Sequence, residues 1–265
     1  MSMPEQSTSK SDLSIQIVNY NTVGYLERCL EGIVKDLKDT FFNWRVLILD
    51  NSSRDDLTPL ERRYESSGQQ FEFHYSPWNL GFGGGHNYLA DKSESDAILV
   101  LSPDIEFTQP NTLERLLGRI TKETSVVGPK LRDALGRSQV WDHGETLYGN
   151  PGLVYWRERS KPLNVGWVSG ACLMIQRETF ERLHGFDTGF FMYKEDDDLC
   201  YRVIKDGGKV LYDPTIELKH HGSAVGSKAD HMSASMRYFM DKHRKNIGPL
   251  AYWGNRAWIQ FVNKY

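Results

Sequence analysis

Four short apolar runs between residues 13 and 102 alternate with segments of helical spacing, which follow the first, second and fourth of them. That alternation limits the folds open to the chain more than any other feature. "LSIQIV" (13–18), "WRVLIL" (44–49), "FEFHYS" (71–76) and "AILVLS" (97–102) are β-branched or aromatic and end in polar or turn residues, as strands covered on both faces do. "VGYLERCLEGIVKDLK" and "LTPLERRYESSG" carry apolar residues at three- and four-residue intervals, which predicts helices. A further helix is predicted in "QPNTLERLLGRI", where Asn111 and Glu114 stand at the spacing of an N-cap and its reciprocal partner. Strand and helix in strict alternation give an α/β class, with a mainly parallel, doubly wound sheet flanked by helices. At 265 residues the chain is long enough for one large domain of this kind with an appendage.

In such a sheet ligands bind in the crevice beyond the carboxyl ends of the strands, and the unusual residues fall there. Strand one ends in Asn19, Tyr20 and Asn21, strand two in Asp50, Asn51, Ser52 and Ser53, strand three in "PWNLGFGGGHN", strand four in Ser102, Pro103 and Asp104. Each of these types is also ordinary turn vocabulary, but four consecutive strands deliver them to one rim. Gly81, Gly83, Gly84 and Gly85 form a glycine loop like a phosphate cradle. A dinucleotide fingerprint would need glycine where His86 stands and would follow the first strand, and a P-loop would continue with GK[ST]. Asp104 reads as a turn aspartate or as a ligand for a hard divalent cation. His220 and His221 could bind a metal or transfer a proton.

The formal net charge of −3 offers nucleic acid no global attraction. Three scattered cysteines without a CxxC pair support neither a disulfide framework nor a thiolate zinc site. Residues 1–12, "MSMPEQSTSKSD", lack the apolar core of a signal peptide and read as a disordered leader. No stretch reaches the roughly 18 apolar residues of a membrane span, so a cytoplasmic location is expected. Beyond the fourth strand the alternation breaks. Residues 132–165 show no period, "VGWVSGACLMIQR" reads as one buried strand with Ser169, Gly170 and Ala171 at its centre, and "ETFERLH" as a helix. In "GFFMYKEDDDLCYR" four acids follow an aromatic run. Crowded carboxylates repel one another and persist with a compensating cation, a helix N-terminus or open water. If a helix starts there, Glu195 and Asp198 share a face and Asp196 and Asp197 point elsewhere.

"SIQIVNYN", "LILDNSSRDD", "NLGFGGGHN", "LVLSPDIEF", the segment from Val168 to Pro214 and "HHG" occur in the order and spacing of family 2 glycosyltransferases. From about residue 13 to about 245 the chain resembles the bacterial rhamnosyltransferase-like branch of that family. The resemblance implies a GT-A fold, a dTDP- or UDP-sugar donor, a divalent cation (Mg2+ or Mn2+) and inversion at the anomeric carbon. It implies a catalytic domain over 13–228, with a nucleotide-sugar half (13–109) and an acceptor and catalytic half (110–228), and a helical extension over 229–265. Asp196 matches the base that deprotonates the acceptor. Asp104 matches the last aspartate of the metal motif, whose usual Asp or Asn partner is replaced here by Ser102, and His220 matches the histidine completing the metal site. Val18, Tyr20, Asn21, Asp50, Asn51, Asn79, Gly83, Asn87, Ser102 and Asp104 match the donor side. Trp167, Gly170, Ala171, Tyr193, Glu195 and Asp198 match the acceptor side.

The function implied is transfer of a sugar, L-rhamnose among the candidates, to a glycan or lipid-linked saccharide in cell-surface polysaccharide or O-antigen synthesis. Two alternatives stay open: a metal-dependent nucleotidyltransferase or phosphohydrolase using Asp50, Asp104 and the acid cluster, and a non-catalytic glycan- or nucleotide-binding domain. From Lys228 on, Lys and Arg outnumber Asp and Glu seven to two. Met232, Met236, Phe239 and Met240 form one helical stripe, followed by Trp253, Trp258 and Phe261. Such a tail suits an anionic membrane surface at the inner face of the plasma membrane, or packing on the catalytic domain or a second subunit.

Overall fold

The computed structural model describes residues 11–66, 70–139, 142–147, 150–153, 158–222, 228–246, 249, 252 and 253. The four predicted strands are β1 (Ser11–Asn19), β2 (Trp44–Asp50), β3 (Phe71–Tyr75) and β4 (Ser95–Leu101), separated by α1 (Val23–Leu37), α2 (Thr58–Glu65) and α3 (Gly81–Ala90). β1 begins within the expected leader, and α3 occupies the glycine run that sequence placed in a loop. There follow β5 (Ile105–Phe107), α4 (Thr112–Leu117) and β6 (Thr124–Arg132). The region expected to be irregular contains the hairpin β7 (His143–Leu147) and β8 (Asn150–Leu153), then β9 (Leu163–Asn164). β10 (Trp167–Val168), β11 (Cys172–Gln176), α5 (Arg177–Arg182), α6 (Glu195–Lys205), β12 (Lys209–His220) and α7 (Lys228–Lys242) complete the order.

Among the described residues one sheet runs β3-β2-β1-β4-β11-β6-β12-β5, with β9 beside β12, and a smaller one runs β10-β7-β8. β1 pairs in parallel with both β2 and β4, and β2 with β3. β11 enters antiparallel between β4 and β6, and β12 is parallel to β6. The chain leaves β3 at one edge and returns as β4 on the far side of β1. That reversal opens the ligand crevice of an α/β sheet between the ends of β1 and β4. β5 comes from the expected donor half yet pairs with β12 of the expected acceptor half, so the two halves share one sheet.

Strand residues alternate between two cores, as a two-residue repeat requires. Ala97, Leu99 and Leu101 of β4 join Leu13, Ile15 and Ile17 of β1 and Leu26, Leu30 and Ile33 of α1 on one face. Ile98 and Val100 join Leu173 and Ile175 of β11, Phe180 of α5 and Leu199 and Val203 of α6 on the other. Cys29, Cys172 and Cys200 are buried as free thiols, and burial pushes all three thiols up from their ordinary range.

The expected cap of α4 is corrected by the structure. Asn111 is left-handed, with φ 55°, and makes no capping hydrogen bond. Asp36, near the end of α1, takes that role: its carboxylate accepts the Thr112 amide at 3.0 Å and the Leu113 amide at 2.8 Å. The partner lies 76 residues away, so local spacing could not show it. Replacing Asp36 by Ala should lower urea-unfolding stability by about 1–2 kcal/mol. Glu114→Ala, at an exposed position, should change it by less than about 0.5 kcal/mol; equal effects would reject the assignment.

Candidate active site

At the donor side the ends of β1 and β2 are knitted together. Asn19 is fully buried; its amide donates to Asp55 at 3.1 Å and its oxygen accepts the Thr22 hydroxyl at 2.8 Å. Asp55 also accepts the Val23 amide at the start of α1. Asn21, left-handed at φ 57°, accepts the Arg54 amide, and Tyr20 stays half-buried beside it. One oxygen of Asp50 accepts the Ser53 amide at 3.0 Å.

Several residues expected to hold the donor also have partners within the fold. Asn51 donates to Asn79 at 2.9 Å and to the Gly81 carbonyl, and accepts the Leu80 amide. Asn79 accepts the Gly81 amide as well. Both lock the start of α3, where Gly81 has φ +75° and Phe191 lies against it. Asn87 makes two hydrogen bonds to the Phe186 backbone. A Cβ on Gly83 would stand 2.8 Å from Phe186, and one on Gly85 2.8 Å from Val18. The glycines therefore serve close helix packing, and Val18 is half-buried against them.

Asp104 and His220, distant in sequence, meet at the rim: His220 Nε2 lies 3.4 Å from Asp104 Oδ1. His221 turns away to Glu106 at 3.0 Å, while its amide donates to the Asp104 carbonyl. Gln139, which sequence reading passed over in an aperiodic stretch, hydrogen-bonds both the ring and the backbone of His220. Among the described residues no group of three or more His, Cys, Asp or Glu gathers around a metal position. A carboxylate oxygen and an imidazole nitrogen still fit a hard or borderline divalent cation that takes its other ligands from water and substrate phosphates. Ser102 adds only a hydroxyl two residues earlier.

The expected single strand over 165–177 is broken. β10 and β11 are separated by a turn of Ser169, Gly170 and Ala171 that touches both sides of the rim. The Ala171 carbonyl accepts the Ser102 amide at 2.9 Å, and the Gly170 amide donates to Asp196 Oδ2 at 2.8 Å. Trp167 and Ala171, expected to contact acceptor, are buried. A Cβ on Gly170 would press on the Phe82 ring and Asp196.

All four acids fall in the first turn of α6, where the helix dipole favours negative charge. Tyr193 and Lys194 before it are both left-handed at φ 71°. Glu195, Asp197 and Asp198 are all buried and Asp196 alone is partly exposed. Asp197 pairs with Lys194 at 3.2 Å, and burial pushes its carboxyl up to about 7. Burial, then the neighbouring Asp196 charge, holds Glu195 well above the carboxylate range. Glu195 Oε2 and the Tyr193 hydroxyl are buried without hydrogen-bond partners. Asp198, expected on the acceptor side, is fully buried and contacts Arg202 at 2.7 Å, Lys242 at 2.7 Å and His243 at 2.8 Å. Burial opposes its ionisation, but these partners, His243 foremost, hold its carboxyl below the ordinary range.

The sequence pattern of Glycosyl transferase family 2 matches residues 14–184. The chain belongs to this family. Residues 160–221 also match the pattern described as N-terminal domain of galactosyltransferase. The chain is 29% identical over 269 residues to N-acetylglucosaminyl-diphospho-decaprenol L-rhamnosyltransferase of Mycobacterium tuberculosis, covering 87% of this chain and 85% of that protein. Among solved structures, it is similar to GalNAc-T7 with UDP, GalNAc and Mn2+, at TM-score 0.67 and 17% identity, over 88% of this chain and 48% of that one. It is also similar to the mannosyltransferase PcManGT from Pyrobaculum calidifontis with GDP-Man and Mn2+, at TM-score 0.62 and 14% identity, over 90% of this chain and 65% of that one. These likenesses show the GT-A fold, and the protein is a glycosyltransferase.

Asp198→Asn removes the buried charge that Arg202 and Lys242 face and should lower stability by about 3 kcal/mol. The Asp198 pKa is lowered on folding, so the stability it confers is present above the unfolded value of about 4 and lost as pH falls below it. The difference between wild type and variant, followed by denaturant titration, should therefore persist down to about pH 4 and shrink in stronger acid. A variant as stable as wild type at pH 7 would remove Asp198 from this role.

Proposed function

We propose that this glycosyltransferase moves L-rhamnose, with inversion, from a dTDP- or UDP-sugar to a lipid-linked saccharide during cell-surface polysaccharide synthesis. The supporting observation is the turn of residues 169–171, which binds the Ser102 end of β4 on one side and Asp196 on the other. This link supports a reading in which the candidate cation-binding residues Asp104 and His220 and the candidate base Asp196 work at one rim. Within the acid cluster Asp196 alone is partly exposed, which suits a single displacement using one base. The relative named as an L-rhamnosyltransferase acting on a diphospho-decaprenol-linked sugar supports the donor and acceptor classes.

Asp196 takes the proton of an acceptor hydroxyl as its oxygen bonds to the anomeric carbon, and the bond from that carbon to the donor diphosphate breaks on the opposite face. The Gly170 amide keeps the base oriented while it works. Asp104 and His220 would hold Mg2+ or Mn2+, and such an ion when bound supplies positive charge against the departing diphosphate. A lipid-linked acceptor brings the cleft to a membrane surface. Among the described residues no helix is long and apolar enough to cross one. Phe239 and Met240 of the expected amphipathic stripe are buried in the protein, and Trp258, Phe261 and their basic neighbours lie outside the described residues.

Asp196→Asn should lower turnover by about 10²–10⁴-fold while donor affinity, measured by calorimetry, stays within a few-fold. Near-normal turnover would sink the base assignment, and donor hydrolysis that ignores every acceptor would favour a phosphohydrolase. Asp104→Ala should abolish cation-dependent donor binding, whereas Ser102→Asp should tighten it. Turnover undiminished by a chelator would show that the enzyme works without a divalent ion.

A further inference from the structure

Gln139 follows the chain reversal after β6, and its amide donates to the Leu131 carbonyl at 2.8 Å. Its side chain then meets His220 twice. Nε2 donates to the His220 carbonyl at 2.8 Å, and Oε1 lies 2.9 Å from His220 Nδ1. A backbone carbonyl can only accept, so the carboxamide nitrogen must face it and the carboxamide oxygen must face the ring. Nδ1 therefore carries hydrogen and donates it. In the neutral imidazole the lone pair is then on Nε2, the atom 3.4 Å from Asp104 Oδ1.

That separation exceeds the roughly 2.7–2.9 Å of a charge-assisted hydrogen bond. The backbone fixes the gap from both sides: His220 pairs with Ile105 across β12 and β5, and the His221 amide donates to the Asp104 carbonyl at 3.1 Å. A histidine that binds metal commonly donates its second ring N–H to a nearby acceptor, which sets tautomer and orientation. Resting on the cation reading above, we propose that Gln139 is the positioning residue for the cation site, holding His220 as the Nδ1–H tautomer with Nε2 aimed beside Asp104. A carboxamide gripping ring and backbone of one residue restrains position and rotation together, which a single acceptor on the ring does not.

The test uses the full chain with two readouts. The first is the tautomer of His220 in metal-free protein, read from ring 15N shifts near neutral pH. The second is Mn2+ affinity, read from the free-ion electron paramagnetic resonance signal with UDP or dTDP present. Gln139→Leu should lose the pure Nδ1–H signature and weaken Mn2+ binding by about 10–100-fold. Gln139→Glu, which keeps an acceptor for Nδ1–H but sets its second oxygen against the His220 carbonyl, should retain the Nδ1–H signature and recover only part of the affinity. A Gln139→Leu protein with the wild-type tautomer and wild-type affinity overturns the proposal, as does one that melts earlier yet binds Mn2+ normally. If wild type and Asp104→Ala bind Mn2+ equally, the cation reading fails and this proposal with it, whereas Asp104-dependent binding untouched by Gln139→Leu rejects the proposal alone.

Discussion

The hydrogen bond from the Gly170 amide to Asp196 joins a turn of the central sheet to the first turn of a helix, and the arrangement of both sides of the rim depends on it. The next residue, Ala171, accepts from Ser102, so three consecutive residues transmit the position of β4 to α6. The Phe82 ring and Asp196 itself would crowd any side chain at residue 170. The amide can approach the carboxylate because the position is glycine, and the strand breaks there because that amide points out of the sheet ladder. A continuous strand through Ser169, Gly170 and Ala171 would have directed it to a neighbouring strand.

The four acids of α6 persist together because each has a different electrostatic environment. Asp198 faces Arg202, Lys242 and the His243 ring and stays ionised while fully buried. Asp197 has one cationic partner, Lys194, and burial raises its carboxyl toward neutrality. Glu195 has a buried oxygen with no partner and is pushed toward the protonated form, which lessens repulsion on Asp196. The helix N-terminus favours all four charges modestly, but burial and pairing separate them. Asp196 is left as the partly exposed carboxylate, steadied by backbone amides from Gly170 and Asp197.

Strands and helices of the first half were legible because parallel strands covered on both faces must be apolar runs, and residues 13–101 carry four. The rim was legible as a place, since polar residues gather at strand ends in any such sheet. Individual roles were less so. Asn51, Asn79 and Asn87 look like ligand-binding amides in one dimension, and each also bonds within the fold: Asn51 to Asn79 and to the backbone of residues 80 and 81, Asn87 to Phe186, 99 residues away. Asn111 has the sequence of a cap, but Asp36 occupies the helix end. Gln139 gave no local signal, because its importance lies in a carbonyl and a ring 81 residues further on. Hydrogen bonds that close across the fold decide which polar residues remain available to a ligand, and periodicity carries no information about them.

The same accounting gives α7 a place in the site. Lys242 bridges Asp187 at 2.5 Å and Asp198 at 2.7 Å, Tyr238 reaches Asp187, and the Ser235 hydroxyl donates to the Met192 carbonyl at 2.7 Å. Phe190 packs on Tyr238 and Phe239. The segment carrying left-handed Tyr193 and Lys194 is thus gripped by α7 on one side and stapled to α3 through Asn87 on the other. Left-handed backbone at two successive non-glycine residues costs about 1–2 kcal/mol each and persists only where its surroundings overdetermine it. Two braces from distant parts of the chain supply that overdetermination, so the placement of Asp196 follows from packing outside the sheet as well as from the sheet turn that touches it.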